Sequence, residues 1–371
     1  MKLRTLCCLA ALVASGCAAP PKPPGPVAND PTVVVAPTPP PVARTLSPTL
    51  QRLVSDAAKL RPLTTSRLTR QFLDATDSLP EVAPRTIYVK KNTREYVSAE
   101  VQAGLPAAEK ATYAAVEMDE TRYYNTKYGS PLAYLRALEY ANDATFSDVS
   151  GKRIMDFGYG SIGHLRLLAS LGADVVGVDP DSYLAALYSR PSDQGAVSLS
   201  AAAGERTNAG AGSITLAHGF WPKDKKITDQ VGQGFDLIVS KNTLKRGYIK
   251  PERKVEDKRQ VIDLGVSDEV FLATIFDALK PGGKLVIYNL HPRQAGPREP
   301  YKPMADGRSP FGPEQYEKAG FVVKTFDAID HDVIRQMGRL LGWDQNAKGE
   351  PVDDLASNLF ALVTVVARPT R

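Results

Sequence analysis

The sequence predicts a doubly wound α/β fold: a mostly parallel, seven-stranded sheet with helices on both faces and a helical cap ahead of it. Three observations lead there. From Lys152 onward, short apolar runs alternate with helical patterns, as expected of parallel strands joined by crossover helices. Arg153–Asp181, RIMDFGYGSIGHLRLLASLGADVVGVDPD, reads as a buried strand, a glycine-rich turn, a helix and a second strand closing on an acid. That order builds a ligand pocket at the carboxyl edge of a sheet. Ahead of it, residues 47–150 carry helical periodicity.

The first segment, residues 1–17, is MKLRTLCCLAALVASGC. Lys2 and Arg4 charge its start, Leu6–Val13 are apolar, and Ala14, Ser15 and Gly16 are small. The apolar run is too short to span a bilayer, and its flanks fit a removable signal. The small residues before Cys17 resemble the lipobox of bacterial lipoproteins, although Ala14 stands where leucine is usual. The resemblance implies that Cys17 is acylated and tethers the protein to a membrane, facing the periplasm; ordinary secretion is the alternative. All three cysteines (Cys7, Cys8, Cys17) lie here, so the rest of the chain has no disulfide, thiolate nucleophile or cysteine-ligated metal. Residues 18–46 are proline-rich, a semi-rigid tether without a core. Net charge is +5, two of it from Lys2 and Arg4, which gives no reason to expect a nucleic-acid partner.

In the cap region, Leu50, Leu53, Val54, Ala57, Leu60 and Leu63 keep a helical period broken at Pro62. A strand is expected at Thr86–Val89 and a second helical block near Ala107. Ser130 caps a further helix with Pro131 at its first position. Residues 151–371 then form the α/β domain. Its expected strands are Arg153–Phe157, Asp174–Val178, Ser213–Ala217, Asp236–Ser240, Lys284–Asn289, Phe321–Phe326 and Leu359–Val366. The last two are expected as an antiparallel pair at one sheet edge. A helix over Ile162–Leu171 ends at the C′ glycine Gly172, and another, capped by Ser267, stops at Pro281-Gly282-Gly283.

The turn GYGSIG fits several nucleotide-like ligands. Gly158 and Gly160 allow a sharp turn and close backbone approach, and Gly163 allows the following helix to pack tightly on the strand. Asp179 ends the second strand 16 residues after Gly163, placed to bond ribose hydroxyls. Asp156, two residues before Gly158, separates the chemistries: a carboxylate there repels a pyrophosphate and attracts an ammonium group.

Taken together, DFGYGSIG, GVDPD, FDLIVSKNTL and LKPGGKLVIYNL resemble, in order, the motifs of the class I S-adenosylmethionine-dependent methyltransferases, except that the third glycine falls one place late, at Gly163. The resemblance spans roughly Tyr124–Val366. It implies a Rossmann-like methyltransferase fold with S-adenosylmethionine as cofactor. It places Asp156, Gly158, Tyr159 and Gly160 along the methionine part, Asp179 on the ribose, and Ser240 to Asn242 at the mouth. Tyr123, Tyr124 and Tyr128 fall where many members close a lid. His218 follows the third strand, where the family usually carries an acid or amide near the adenine.

Methyl transfer mainly requires alignment, with a base only when the acceptor must lose a proton. His291, just after the fifth strand, is the first candidate and His218 the second. His164 reads as a surface or supporting residue, and His331 as a helix start. Lys241–Arg259 holds eight basic and three acidic residues, a solvated loop or a surface for an acidic or lipid acceptor. The expected function is thus a membrane-tethered methyltransferase with a small-molecule or lipid acceptor that the sequence leaves unidentified. Because the cofactor is made in the cytoplasm, the alternative is a non-catalytic lipoprotein binding module on the same fold. An NAD-dependent oxidoreductase is disfavoured by Asp156.

Overall fold

Strands of the α/β region form where the apolar runs predict them. The structure, a computed structural model, describes residues 45–125, 129–203, 210–346 and 348–370. The expected leader, nearly all of the tether, Cys17 and Tyr128 lie outside the described residues. From Leu46 onward the chain is one compact unit. Its strands are β1 (Arg85–Lys90), β2 (Tyr96–Ser98), β3 (Tyr113–Met118), β4 (Arg153–Phe157), β5 (Asp174–Val178), β6 (Gly195–Val197), β7 (Gly212–Ala217), β8 (Phe235–Lys241), β9 (Leu279–His291), β10 (Val322–Ile329) and β11 (Phe360–Ala367).

Eight of these strands make the main sheet, in the order β10-β11-β9-β8-β4-β5-β7-β6. The five inner strands β9, β8, β4, β5 and β7 run parallel. β11 inserts between β9 and β10 and runs antiparallel to both, so the last two strands do form an antiparallel pair at one edge. The eighth strand, β6, pairs antiparallel with β7; at three residues it is too short to leave a periodicity signal. From β4 the chain steps outward through β5 to β7, then returns to lay β8 on the other side of β4. The order therefore reverses between β4 and β8, and ligands of open α/β sheets bind at such a switch point.

Successive residues of a strand face opposite sides, and here both sides are buried. Ile154, Val175 and Leu237 enter one hydrophobic cluster with cap residues such as Leu50, Phe72, Leu135 and Leu138. Met155, Val176 and Ile238 enter a second with Phe271, Ile275 and Phe311. Burial on both faces explains why these strands read as continuous apolar runs.

The cap region begins with the helix Pro48–Leu60, capped by the Ser47 hydroxyl, and a second helix at Arg67–Asp74. Between these helices and the next lies a separate antiparallel sheet, β2-β1-β3. The helical block expected near Ala107 shrinks to Ala107–Lys110, because Tyr113–Met118 pairs along β1 instead. Ser130 caps a 3-10 turn, Pro131–Tyr134, that leads into the helix Leu135–Ala141. The helix capped by Ser267 ends at Ala278, three residues before the expected stop, and the PGG segment joins the start of β9.

Two buried ionic networks fasten the cap to the α/β domain. Arg136 donates to both oxygens of Asp330 at 2.9 and 2.7 Å, and Tyr288 and Tyr140 hydroxyls donate to the same carboxylate at 2.7 and 3.2 Å. Arg85 grips Asp193 at 2.8 and 3.3 Å, where Tyr123 also donates at 2.8 Å. Removing one partner of a buried pair strands the other charge. Asp330→Ala should therefore lower the unfolding free energy by about 3 to 5 kcal/mol in urea titration; a change within noise would contradict the network's role.

Candidate functional site

The glycine turn leaves β4 as its resemblance requires. Gly158 has φ +80° and Gly160 φ +59°, conformations that glycine adopts without strain. The close neighbour at Gly158 is protein: a Cβ there would lie 2.1 Å from Thr243 Oγ1. At Gly163 a Cβ would lie 2.6 Å from the Tyr124 carbonyl and 2.9 Å from Pro131 Cβ. The expected reason for that glycine is thus corrected. It lets the helix Gly163–Ser170 approach the cap, not the strand.

Asp156 is fully buried at the end of β4. Its Oδ2 accepts from His164 Nε2 at 2.6 Å, while Oδ1 has no partner. His164 is itself fully buried, which corrects the surface reading: it stands behind Asp156. Burial pushes the His164 pKa below its ordinary value, against the pull of Asp156. Tyr134, from the cap, stacks face to face on His164 at 3.5 Å. The ammonium of Lys241, the last residue of β8, lies 5.3 Å from the Tyr134 ring centre. Lys241 is buried and makes no hydrogen bond among the described residues. Desolvation brings its pKa down to about 8 and the charge of Asp156 acts the other way.

Asp179 lies at the end of β5, and its Oδ1 accepts the Asp181 N–H at 2.9 Å. Burial raises its pKa to about 7; bonds from the Asp181 and Gly160 N–H groups oppose the shift, and the Asp181 and Asp156 charges add to it. His218 follows β7, its ring 6.3 Å from that of Tyr159. Both His218 ring nitrogens are buried and unpartnered, as is the Tyr159 hydroxyl. Burial also lowers the His218 pKa. The Tyr159 ring itself packs beneath β5, where a Cβ on Gly177 would meet it at 3.0 Å.

The remaining expected residues have mixed positions. The Ser240 hydroxyl donates to the Phe157 carbonyl at 3.1 Å and accepts the Leu244 N–H at 3.2 Å, tying β8 to β4. Asn242, at φ +65°, accepts the Leu290 N–H at 2.7 Å and so joins the ends of β8 and β9. Tyr123 and Tyr124 are buried and edge-on at 5.0 Å. Tyr123 also bonds Asp193, so the pair packs the cap and forms no lid. His331 does start a helix, His331–Leu340.

His291 ends β9. Its Nδ1 lies 3.0 Å from the Pro292 carbonyl oxygen, and its Nε2 is buried without a partner. A carbonyl only accepts, so Nδ1 carries the proton and Nε2 presents a lone pair. Burial lowers the His291 pKa. In the sheet order β9 and β7 are separated by three strands, about 19 Å at the usual spacing. His291 and His218 therefore cannot serve the same reacting atom.

The basic run after β8 is mostly spent inside the protein. Arg246 pairs with Glu252, Lys250 with Asp268 and Arg259 with Asp257. Arg253 donates to the carbonyls of residues 295, 296, 297 and 299. An open concavity of about 660 Å³ runs along Pro251–Val255 and Lys258; no residue of the glycine turn lines it. Sequence reasoning missed Tyr134, and it gave Lys241 no charge role at the site, counting it within Ser240 to Asn242 at the mouth and as the first of a basic run. A lysine ending the otherwise apolar FDLIVSK was the available signal.

No family model and no curated protein matches the chain. Among solved structures, it is similar to an S-adenosylmethionine-dependent methyltransferase from Mesorhizobium loti, at 19% identity over 64% of this chain and 98% of that one, with a TM-score of 0.32. A Haemonchus contortus phosphoethanolamine N-methyltransferase 2 in complex with S-adenosyl-L-methionine matches at 14% identity over 78% and 70%, with a TM-score of 0.34. The [4+2]-cyclase SpnF matches at 16% identity over 64% and 81%, with a TM-score of 0.33. Likenesses this distant carry no argument about function, which rests on the chain's own geometry.

Asp179 gives a prediction whose sign follows from linkage. Its folded pKa exceeds the unfolded value, so the folded state holds the extra proton between pH 4 and 7 and loses that advantage as pH rises. Asp179→Asn should leave stability unchanged near pH 4 and raise it above pH 7, by up to about 4 kcal/mol. Chemical denaturation at the two pH values measures this, and an equal effect at both would contradict it.

Proposed function

We propose that the chain is an S-adenosylmethionine-dependent methyltransferase. The observation that carries this reading is a pair of opposite charges at the switch point. Asp156 Oδ1 is buried without a hydrogen bond near the end of β4. Lys241, a buried lysine that feels the Asp156 charge and makes no side-chain hydrogen bond among the described residues, ends the adjacent β8. Buried charges call for partners. An amino-acid tail brings both, an ammonium for Asp156 and a carboxylate for Lys241. A dinucleotide pyrophosphate would bring only negative charge toward Asp156. Asp179 suits the ribose hydroxyls, and neutral His218, with one donor and one acceptor nitrogen, suits the edge of a purine.

When bound, the cofactor supplies a methyl group on a positively charged sulfur. The protein's part is to align and to exclude water. His164 holds Asp156 through Oδ2, which leaves Oδ1 for the ammonium of the tail. The Ser240 and Asn242 bonds fix the loop after β8, which sets the mouth. His291 Nε2, an uncharged lone pair, is placed to take a proton from an acceptor that must lose one. His218 stands at the far end of the site and serves cofactor binding.

A second part of the proposal concerns location. The leader motif supports tethering through a lipidated Cys17. Among the described residues no helix is long and apolar enough to cross a membrane. Cys17→Ser should move the full chain from the membrane to the soluble fraction; retention on the membrane would contradict the tether.

Calorimetric titration of the full chain tests the cofactor. S-adenosylmethionine should bind and NAD should not. Asp156→Asn and Lys241→Gln should each weaken binding about 10- to 100-fold, the worth of a charge-assisted hydrogen bond. Affinity should rise as pH passes about 7, where Asp179 ionises, and fall past about 8, where Lys241 loses its proton. Absence of heat, or tighter binding of NAD, would overturn the proposal.

A further inference from the structure

A second buried lysine stands beside the first and lacks a counter-ion. Lys245 is almost wholly buried, four residues beyond the end of β8. Its ammonium donates to the Leu290 carbonyl at the end of β9 and to the Met304 carbonyl at 3.3 Å. The Tyr248 ring centre lies 5.4 Å from it. These two carbonyls use two of its three donors. Among the described residues, no carboxylate pairs with it. The nearby Asp306 is occupied: Arg308 grips both its oxygens at 2.8 and 2.7 Å, and Tyr301 donates to it at 3.0 Å. Lys241 adds like charge and no compensation. Beside this ammonium, one residue past Leu290, His291 holds its own buried and unpartnered Nε2.

We propose that the acceptor carries an anionic oxygen group, a carboxylate or a phosphate, and that Lys245 binds this group beside His291. The identification of the ligand as the acceptor rests on the methyl-transfer reading; the anion site itself does not. Burial, with the like charge of Lys241, brings the Lys245 pKa down to about 7, and an oxyanion accepting its third N–H favours the charged form with a charge-assisted bond. The position fits an acceptor: Lys245 and His291 crowd the ends of β8 and β9, while Asp179 and His218 occupy the ends of β5 and β7. An anion held at Lys245 would present the rest of the molecule to the Nε2 lone pair and to the mouth beside Lys241.

Isothermal titration of the full chain with inorganic phosphate and with acetate, each with and without saturating S-adenosylmethionine, tests this, with acetamide as the uncharged control. At least one of the anions should bind in the millimolar range, acetamide should not, and saturation with the cofactor should leave anion binding in place. The arm that binds more tightly tells phosphate from carboxylate. Lys245→Gln should weaken anion binding at least about 10-fold, and Lys245→Arg should largely retain it. Failure of both anions to bind more tightly than acetamide, undiminished binding in Lys245→Gln, or displacement of the anion by the cofactor would overturn the site. If Lys245→Gln does not fold, the contrast between the anions and acetamide in the wild-type chain decides. Anion binding without cofactor binding would keep the site and remove the methyl-transfer reading.

Discussion

The site depends on how one buried carboxylate is held. Asp156 cannot sit out of reach of water at the end of β4 without a donor, and His164 provides it from the first turn of the helix that follows. That imidazole is in turn fixed by the Tyr134 ring at 3.5 Å, brought in by the cap. Lys241 lies against the same tyrosine from β8. One column of four side chains thus joins the glycine turn, the first helix, the cap and the neighbouring strand. It leaves one oxygen of Asp156 without a hydrogen bond, with Lys241 close by, at the place where the sheet order reverses.

This column explains why the cap is fastened so firmly. If the cap shifted, Tyr134 would leave His164 and the orientation of Asp156 would be lost. The Arg136–Asp330 and Arg85–Asp193 networks oppose such a shift, each with a bidentate pair reinforced by tyrosine hydroxyls. Tyr123, which resembled a lid residue by position, belongs to this fastening. The cap is therefore held fixed against the sheet, whose carboxyl edge carries three groups of residues. β5 and β7 carry Asp179 and His218, β4 and β8 carry the charge pair, and β8 and β9 carry Lys245 and His291.

Much of this was legible in the sequence. All seven expected strands formed, because burial on both faces makes a parallel strand a continuous apolar run that is hard to mistake. The left-handed turn at Gly158 and Gly160, the acid ending β5 and the histidine ending β9 were also readable, since each is tied to a strand end. What escaped was tertiary. The Asp156–His164 bond joins residues eight apart across a turn whose geometry no periodicity encodes. Tyr134 looked like one more apolar cap residue, and its contact with His164 exists only after the cap docks. The basic run after β8 divides: Lys241 and Lys245 are buried, Arg246, Lys250 and Arg253 bond carboxylates or backbone carbonyls, and Lys254, Lys258 and Arg259 stay exposed as in the solvated-loop reading. β1 was legible at Thr86–Val89, but β2 and β3 were missed because short strands of mixed composition leave no clear alternation.

The central claim is that the switch point is built for an amino-acid tail attached to a nucleoside. Comparing S-adenosylhomocysteine with methylthioadenosine, two neutral thioethers of the same nucleoside of which only the first carries the amino-acid tail, isolates that claim. The charge pair predicts that methylthioadenosine binds the wild-type chain about 100-fold more weakly, or roughly 2.7 kcal/mol, and that Lys241→Gln narrows the gap. Equal affinity for the two compounds would contradict the account.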